Sequence, residues 1–292
     1  MISRRLLLTQ TLLFLTSCTI TKSTQTEKLK RLTIGVVTYG EGVHSIEQYQ
    51  GFISYLESRT KTLIEVEPVY NEVKALEQIQ RQVWSLVFAP PGLAAIAVSQ
   101  AQYIPLFPLQ GVNNLRSVLV VLKTSPIQKL IDLNGKSVAL GQAGSATGYY
   151  VPLYDLYGIT PSEVRIAPTP KIVLEWIAKA EVTVGALSKD EFDRYRFEFN
   201  PTEFRILHSS RRLPPGAVLG SPTLERNQQH SIQQAMNEAL PTVAQQAGYI
   251  PNAKAPEYDT LITFIEKVKP IAARIHDKPA PLYRLEGERK SS

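Results

Sequence analysis

The chain has 292 residues, of which 43% are apolar, a formal charge of +6 and one cysteine, Cys18. A lone cysteine excludes a disulfide framework, so the fold rests on its core, and roughly 270 residues past the amino terminus suffice for one large domain or two smaller lobes. The basic clusters Lys28-Leu29-Lys30-Arg31 and Arg211-Arg212 are short and lack the interleaved aromatics of a stacking platform, so no nucleic-acid partner is expected.

Residues 1–17 contain Arg4 and Arg5, no acidic residue, and the apolar runs Leu6-Leu7-Leu8 and Leu12-Leu13-Phe14-Leu15, which is the layout of a secretory signal peptide. The run is broken by Thr9-Gln10-Thr11 and falls short of the roughly 20 residues of a membrane-spanning helix. Leu15-Thr16-Ser17-Cys18 looks like a lipobox, which predicts cleavage before Cys18 and a lipid on its thiol. Ser3-Arg4-Arg5-Leu6-Leu7 leaves both the general secretory and the twin-arginine route open. Cleavage would remove two arginines and take the charge from +6 to +4. Residues 18–30 have almost no apolar content and read as a lipid-anchored, flexible tether. The expected location is outside the cytoplasm, on the periplasmic or cell-surface side, held at the membrane by lipid.

From residue 31 on, short β-branched runs alternate with helical stretches. Strands are expected at residues 32–37, 63–69, 86–88, 117–121, 137–140, 182–186 and 204–207. Helices are expected at residues 45–59, 73–83, 147–157 and 172–180, and further packing helices at 221–247 and 255–273. This alternation predicts an α/β fold with mostly parallel sheets flanked by helices. Lys123-Thr124-Ser125-Pro126 and Leu213-Pro214-Pro215-Gly216 break the rhythm and are candidate hinges. They would divide the chain into a first lobe, residues 31–123 and 217–292, and a second lobe, residues 124–216. No internal repeat is visible, and the charged tail from residue 282 is expected to fray.

The informative segment runs from Asp132-Leu133-Asn134-Gly135-Lys136 through a strand to Gly141-Gln142-Ala143-Gly144-Ser145-Ala146-Thr147-Gly148-Tyr149-Tyr150-Val151-Pro152. The glycines let the backbone turn sharply and approach a ligand, while Ser145 and Thr147 are helix-capping types with hydroxyl donors. Free N–H groups at a helix start make an anion site. The same residues are equally readable as a turn and a cap. No Gly-Lys-Ser/Thr follows the glycines, so the segment is not a Walker loop.

At this point the sequence resembles the phosphate, phosphite and phosphonate substrate-binding proteins of ABC transporters, over most of residues 31–220. That family's Ser-Thr-Ser-Gly signature, with its Leu-x-Gly-Lys lead-in and Val-Pro exit, is matched here by Ser145-Ala146-Thr147-Gly148, Asp132 to Lys136 and Val151-Pro152. Further matches are Tyr70, Val87-Phe88-Ala89-Pro90, Leu122-Lys123-Thr124-Ser125-Pro126, and Leu207-His208-Ser209-Ser210 before Pro214-Pro215. The resemblance implies a two-lobe type II periplasmic-binding fold closing over a small oxyanion. It also implies an extracytoplasmic solute-binding role beside a permease and ATPase complex, with a monomeric chain. Ser145, Ala146, Thr147, Gly148, Tyr149 and Tyr70 are the expected ligand residues, with Tyr39 and Lys171 added and Gln110 ranked behind them. The chain departs from the family at Pro170-Lys171, where relatives carry His-Glu, at Gln142-Ala143, where they carry Asp-Pro, and at Ala146, which lacks a hydroxyl. An ammonium-reading carboxylate is therefore not expected; Lys171 reads either as an exposed first-turn lysine or, if it faces the cleft, as a group that would favour an unsubstituted or more highly charged anion over an aminoalkylphosphonate.

The enzyme class finds little support. His44, His208, His230 and His276 form no metal-ligand spacing, and there is no Gly-x-Ser-x-Gly elbow. Asp190-Glu191 reads as a helix start. No metal, cofactor or catalytic residue is expected. The alternatives are a binding or sensor lipoprotein without a transporter, its ligand altered, and an enzyme built on the same fold.

Overall fold

The computed structural model describes residues 31–37, 46–111 and 114–284. Cys18, Tyr39, the signal-peptide and tether stretches and residues 285–292 lie outside the described residues.

The first sheet is built from β1 (Arg31–Val37), β2 (Leu63–Val69), β3 (Leu86–Ala89), β4 (Ile104–Pro108) and, after an excursion, β10 (Ala217–Gly220). Its order is β2-β1-β3-β10-β4, with β10 antiparallel to both neighbours and the rest running one way. The second sheet holds β5 (Ser117–Leu122), β6 (Ser137–Leu140), β7 (Glu163–Ile166), β8 (Val184–Ser188) and β9 (Phe204–Ser209). Its order is β7-β6-β8-β5-β9, and here β5 is the opposed strand. The central strands are buried end to end, as in β3 and β10, which is the pattern of a sheet covered on both faces.

Helices cover these sheets. α1 (Gln50–Thr60) packs with α7 (Arg226–Asn237) and α8 (Pro241–Ala247). α2 (Glu72–Gln80) packs on α3 (Pro91–Ala101). α3 reads Pro-Gly-Leu-Ala-Ala-Ile-Ala-Val-Ser-Gln-Ala and buries Gly92, Leu93, Ala94, Ala95, Ile96, Ala97 and Ala101. A helix apolar all round belongs in an interior, and α3 lies between the first sheet and the second lobe, touching α9 (Asp259–Ala272) and the Ala146–Tyr150 turn. The second lobe carries α4 (Val151–Asp155), α5 (Pro170–Ala178) and α6 (Lys189–Tyr195). One apolar core crosses the seam, joining Trp84 and Leu93 to Leu140, Ala146 and Tyr150.

The lobe boundaries differ from the expected ones in two places. β5 pairs with β8 and β9, so the chain first passes between sheets over residues 109–116, and residues 117–123 belong to the second lobe. An apolar strand such as Ser117–Leu122 fits either sheet, so its composition does not assign it. The second passage occupies residues 210–216. At the carboxyl end, Leu282 exchanges backbone hydrogen bonds with Gly158 and Ile159, and Ala280 donates to Pro161. Residues 280–282 are thus tied to the second lobe, although residues 217–292 were expected in the first. The expected helix at 221–247 is two helices, broken at Leu240-Pro241, where proline opens α8.

Candidate functional site

The site is built from helix starts that meet between the lobes. In the second lobe β6 ends at Leu140 and the chain turns through Gly141 and Gly144, the latter at φ +111°, a region open to glycine and closed to most side chains. Gly141 N donates to Gly148 O at 2.8 Å, folding the loop onto itself. Ser145 caps the following turn, its Oγ accepting from Gly148 N at 3.0 Å. Tyr149 and Tyr150 N both donate to Ser145 O, which makes Ala146–Tyr150 a π turn running into α4. Thr147 O is fixed by the Ser117 hydroxyl at 2.6 Å. The Ser145 side chain is a cap, and the turn it caps leaves the Ala146 and Thr147 N–H groups with no intrahelical partner.

The first lobe brings two helix starts to this loop. α3 begins at Pro90-Pro91-Gly92 with no side chain capping it. Gly92 lies flat on the loop: a Cβ there would sit 2.1 Å from Gly144 O and 2.6 Å from Ala146 N. α2 begins after Asn71, whose Oδ1 accepts from Lys74 N at 2.8 Å. Its first residue, Glu72, covers Gly144, where a Cβ would come within 2.5 Å of the Glu72 Cβ. Burial pushes the Glu72 carboxyl up to about 7; its own backbone N–H partly offsets this, and the charge of Glu191 across the seam adds to it. Burial likewise raises the Tyr149 and Tyr150 hydroxyls to about 12, and the two rings meet edge to face at 5.0 Å.

Of the expected ligand residues, Ser145, Ala146, Thr147, Gly148 and Tyr149 form one continuous turn at the seam, with Ala146, Gly148 and Tyr149 buried. Tyr70 is 61% exposed and directly precedes the Asn71 cap. Lys171 opens α5 and pairs with Glu198 of the second lobe at 2.7 Å. Gln110 is committed to the first lobe, where its Nε2 donates to Tyr249 O at 3.2 Å. Tyr39 and Cys18 are not among the described residues.

Glu72 and Gly92 were missed in the sequence. An acidic first residue after an Asn cap is ordinary helix chemistry, and only the loop some 70 positions on makes it a seam residue. Glu191 does what its sequence predicts, forming a reciprocal capping box with Ser188, and it also faces Glu72. Beside the loop lies a cavity of about 540 Å³, with Asn71 on one side and Gln142 on the other. Among the described residues no group of histidine, cysteine and carboxylate side chains can hold a metal ion, and no helix is long and apolar enough to cross a membrane.

Comparison with known proteins agrees with this architecture. Residues 34–250 match the family model described as "ABC transporter, phosphonate, periplasmic substrate-binding protein". The match spans well over half of the chain, so the chain belongs to that family, whose members are binding components of transporters. No curated protein matches the sequence. Among solved structures, a Xanthomonas citri protein bound to ATP is 18% identical, with a TM-score of 0.69 over 82% of this chain and 98% of that one. PhnD1 of Prochlorococcus marinus, in complex with methylphosphonate, is 15% identical, with a TM-score of 0.64 over 82% and 98%. A binding protein component of a Pseudomonas aeruginosa ABC phosphonate transporter is 13% identical, with a TM-score of 0.63 over 85% and 88%. At these identities the likeness shows the fold, which is that of type II periplasmic-binding proteins.

Proposed function

We propose that this chain is the extracytoplasmic solute-binding lipoprotein of an ABC importer and that it binds a phosphate-like oxyanion between its lobes. Residues 1–17 direct export, a lipid on Cys18 holds the protein at the membrane, and residues 18–30 space it from the surface. The folded part works as a monomer and delivers phosphate, phosphite or a phosphonate to a permease and ATPase complex.

One observation carries the oxyanion reading: the uncapped start of α3 and the Ala146 turn face each other across the seam, with Gly92 against Ala146 N. Each hydrogen bond to a charged group contributes about 1.5–3 kcal/mol, whereas a helix dipole contributes about 0.3–1. A micromolar complex needs about 8 kcal/mol, so several converging donors must supply it. The Ala146, Thr147 and Gly148 backbone and the Thr147 hydroxyl are the nearest set, with Tyr149 and Tyr70 as walls and Tyr39 and Lys171 as further candidates. Because Gly92 abuts the loop, the lobes must part to admit the anion and re-form around it.

Calorimetric titration of the purified protein with phosphate, phosphite, methylphosphonate and sulfate tests the reading. Saturable heat with at least one of the first three supports it, and none with any of them overturns it. A second reading, a sensor or other non-transport binding lipoprotein with an altered ligand, rests on Glu72, whose charged form opposes an anion at Gly144. Genes for a permease and an ATPase beside this one favour import, and a kinase gene favours sensing. An enzyme on the same fold would have to turn over a candidate substrate, and the described site offers no nucleophile paired with a base.

A further inference from the structure

Next to the loop the seam widens into the cavity of about 540 Å³, a size within the range that small organic ligands occupy. Four separate chain segments from both lobes wall it. Val73 comes from α2, Ala143 from the loop, Ile166 from the end of β7, and Ala272 and Ile275 from the end of α9 and just beyond. Its polar groups are Asn71, Gln142, Tyr149 and His276, with no carboxylate, lysine or arginine among them. Gln142 Oε1 is buried and has no hydrogen-bond partner, an arrangement that calls for a donor from elsewhere. The Asn71 side-chain oxygen is already used by Lys74 N, which leaves its amide N–H groups to donate. Gln142 and Ala143 lead directly into the Ser145 turn and Tyr149 leaves it, so an oxyanion held by that turn has this cavity at its side.

We propose that the ligand is an organic phosphonate with an uncharged, largely apolar body, aryl or branched alkyl and carrying a hydrogen-bond donor for Gln142 Oε1, whose body fills this cavity while its oxyanion engages the Ser145 turn. The inference rests on the oxyanion reading and adds to it a substituent site for a body with no ionised group. Charge chemistry supports the choice: a cationic substituent would meet no carboxylate among the cavity's residues, and an anionic one would find only His276 able to carry positive charge. Half-exposed Val73 gives the cavity an apolar edge toward solvent.

The test titrates the full protein with phenylphosphonate, methylphosphonate and benzamide, the last having an aryl body and an amide donor but no oxyanion. Phenylphosphonate should bind at least tenfold tighter than methylphosphonate, and Val73→Trp, which fills the cavity from a half-exposed helix position, should bring that ratio to about one. Both numbers are taken within one protein, so a loss of stability in the variant does not mimic the effect. Methylphosphonate binding as tightly as phenylphosphonate would overturn the cavity and leave the oxyanion reading standing. Benzamide binding that competes with phenylphosphonate, with no response to methylphosphonate, would keep the cavity and overturn the oxyanion. A tenfold preference that survives Val73→Trp would place the aryl body elsewhere, and no binding of any probe would overturn both.

Discussion

The two lobes share one sheet plan, four strands one way and one opposed, yet they begin their third-strand helices in opposite fashion. After β8, Ser188 and Glu191 satisfy each other's backbone N–H groups at 3.1 and 2.8 Å, so α6 starts closed to outside partners. After β3, Pro90-Pro91-Gly92 offers no side-chain cap, and α3 starts bare against the Ser145 turn. The difference teaches where a ligand can be held: a helix start that has used its donors on its own side chains stabilises the lobe, and one that has not remains available at the seam.

The largest expected effect that would sharpen this comparison comes from Glu72. Its carboxyl is raised from 4.5 to about 7, chiefly by burial. A value above the unfolded one means that its contribution is fully present below about pH 4.5 and is lost as pH rises through 7. The shift corresponds to about 3 kcal/mol. Urea denaturation should therefore show Glu72→Gln gaining about that much on the wild type between pH 4.5 and pH 8, and a difference that does not change with pH would break the account. Next, Gly92→Val places a Cβ on the Gly144 backbone and should cost the closed arrangement about 1–3 kcal/mol. Small-angle scattering should then show a more open molecule, with anion affinity at least tenfold weaker; unchanged shape and affinity would contradict the seam.

Two smaller effects separate the open start from the closed one. Thr147→Ala should weaken anion binding about tenfold, or about 1.4 kcal/mol, with little change in the unfolding midpoint. Unchanged affinity would reduce the turn to a cap. Ser188→Ala should do the reverse, losing about 1 kcal/mol of stability with no change in titrated affinity.

Much of this was legible in the sequence because local chemistry decides it. Apolar runs such as residues 86–88 and 137–140 read as interior strands, and Gly141, Gly144 and Ser145 specify a turn and a cap without reference to the rest of the fold, whereas β10 (Ala217–Gly220), beside the Pro214-Pro215 break, was not expected. What was not legible depends on contacts between distant segments. Ser117–Leu122 is apolar enough for either sheet, so the boundary at residue 123 missed the true passage at 109–116. The Lys171 partner, Glu198, lies 27 positions away on another short helix. Pro170-Lys171 speaks only to an ammonium-reading carboxylate at its own position, and the carboxylates of Glu72 and Glu191 come to the seam from α2 and α6.

The most direct test of the central claim is to follow the backbone amide resonances of Gly92, Leu93, Ala146 and Thr147 by nuclear magnetic resonance during titration with methylphosphonate. The account predicts that amides of both the α3 start and the Ala146 turn shift together and saturate at one dissociation constant. Saturable binding that moves other amides and leaves these four in place would contradict it.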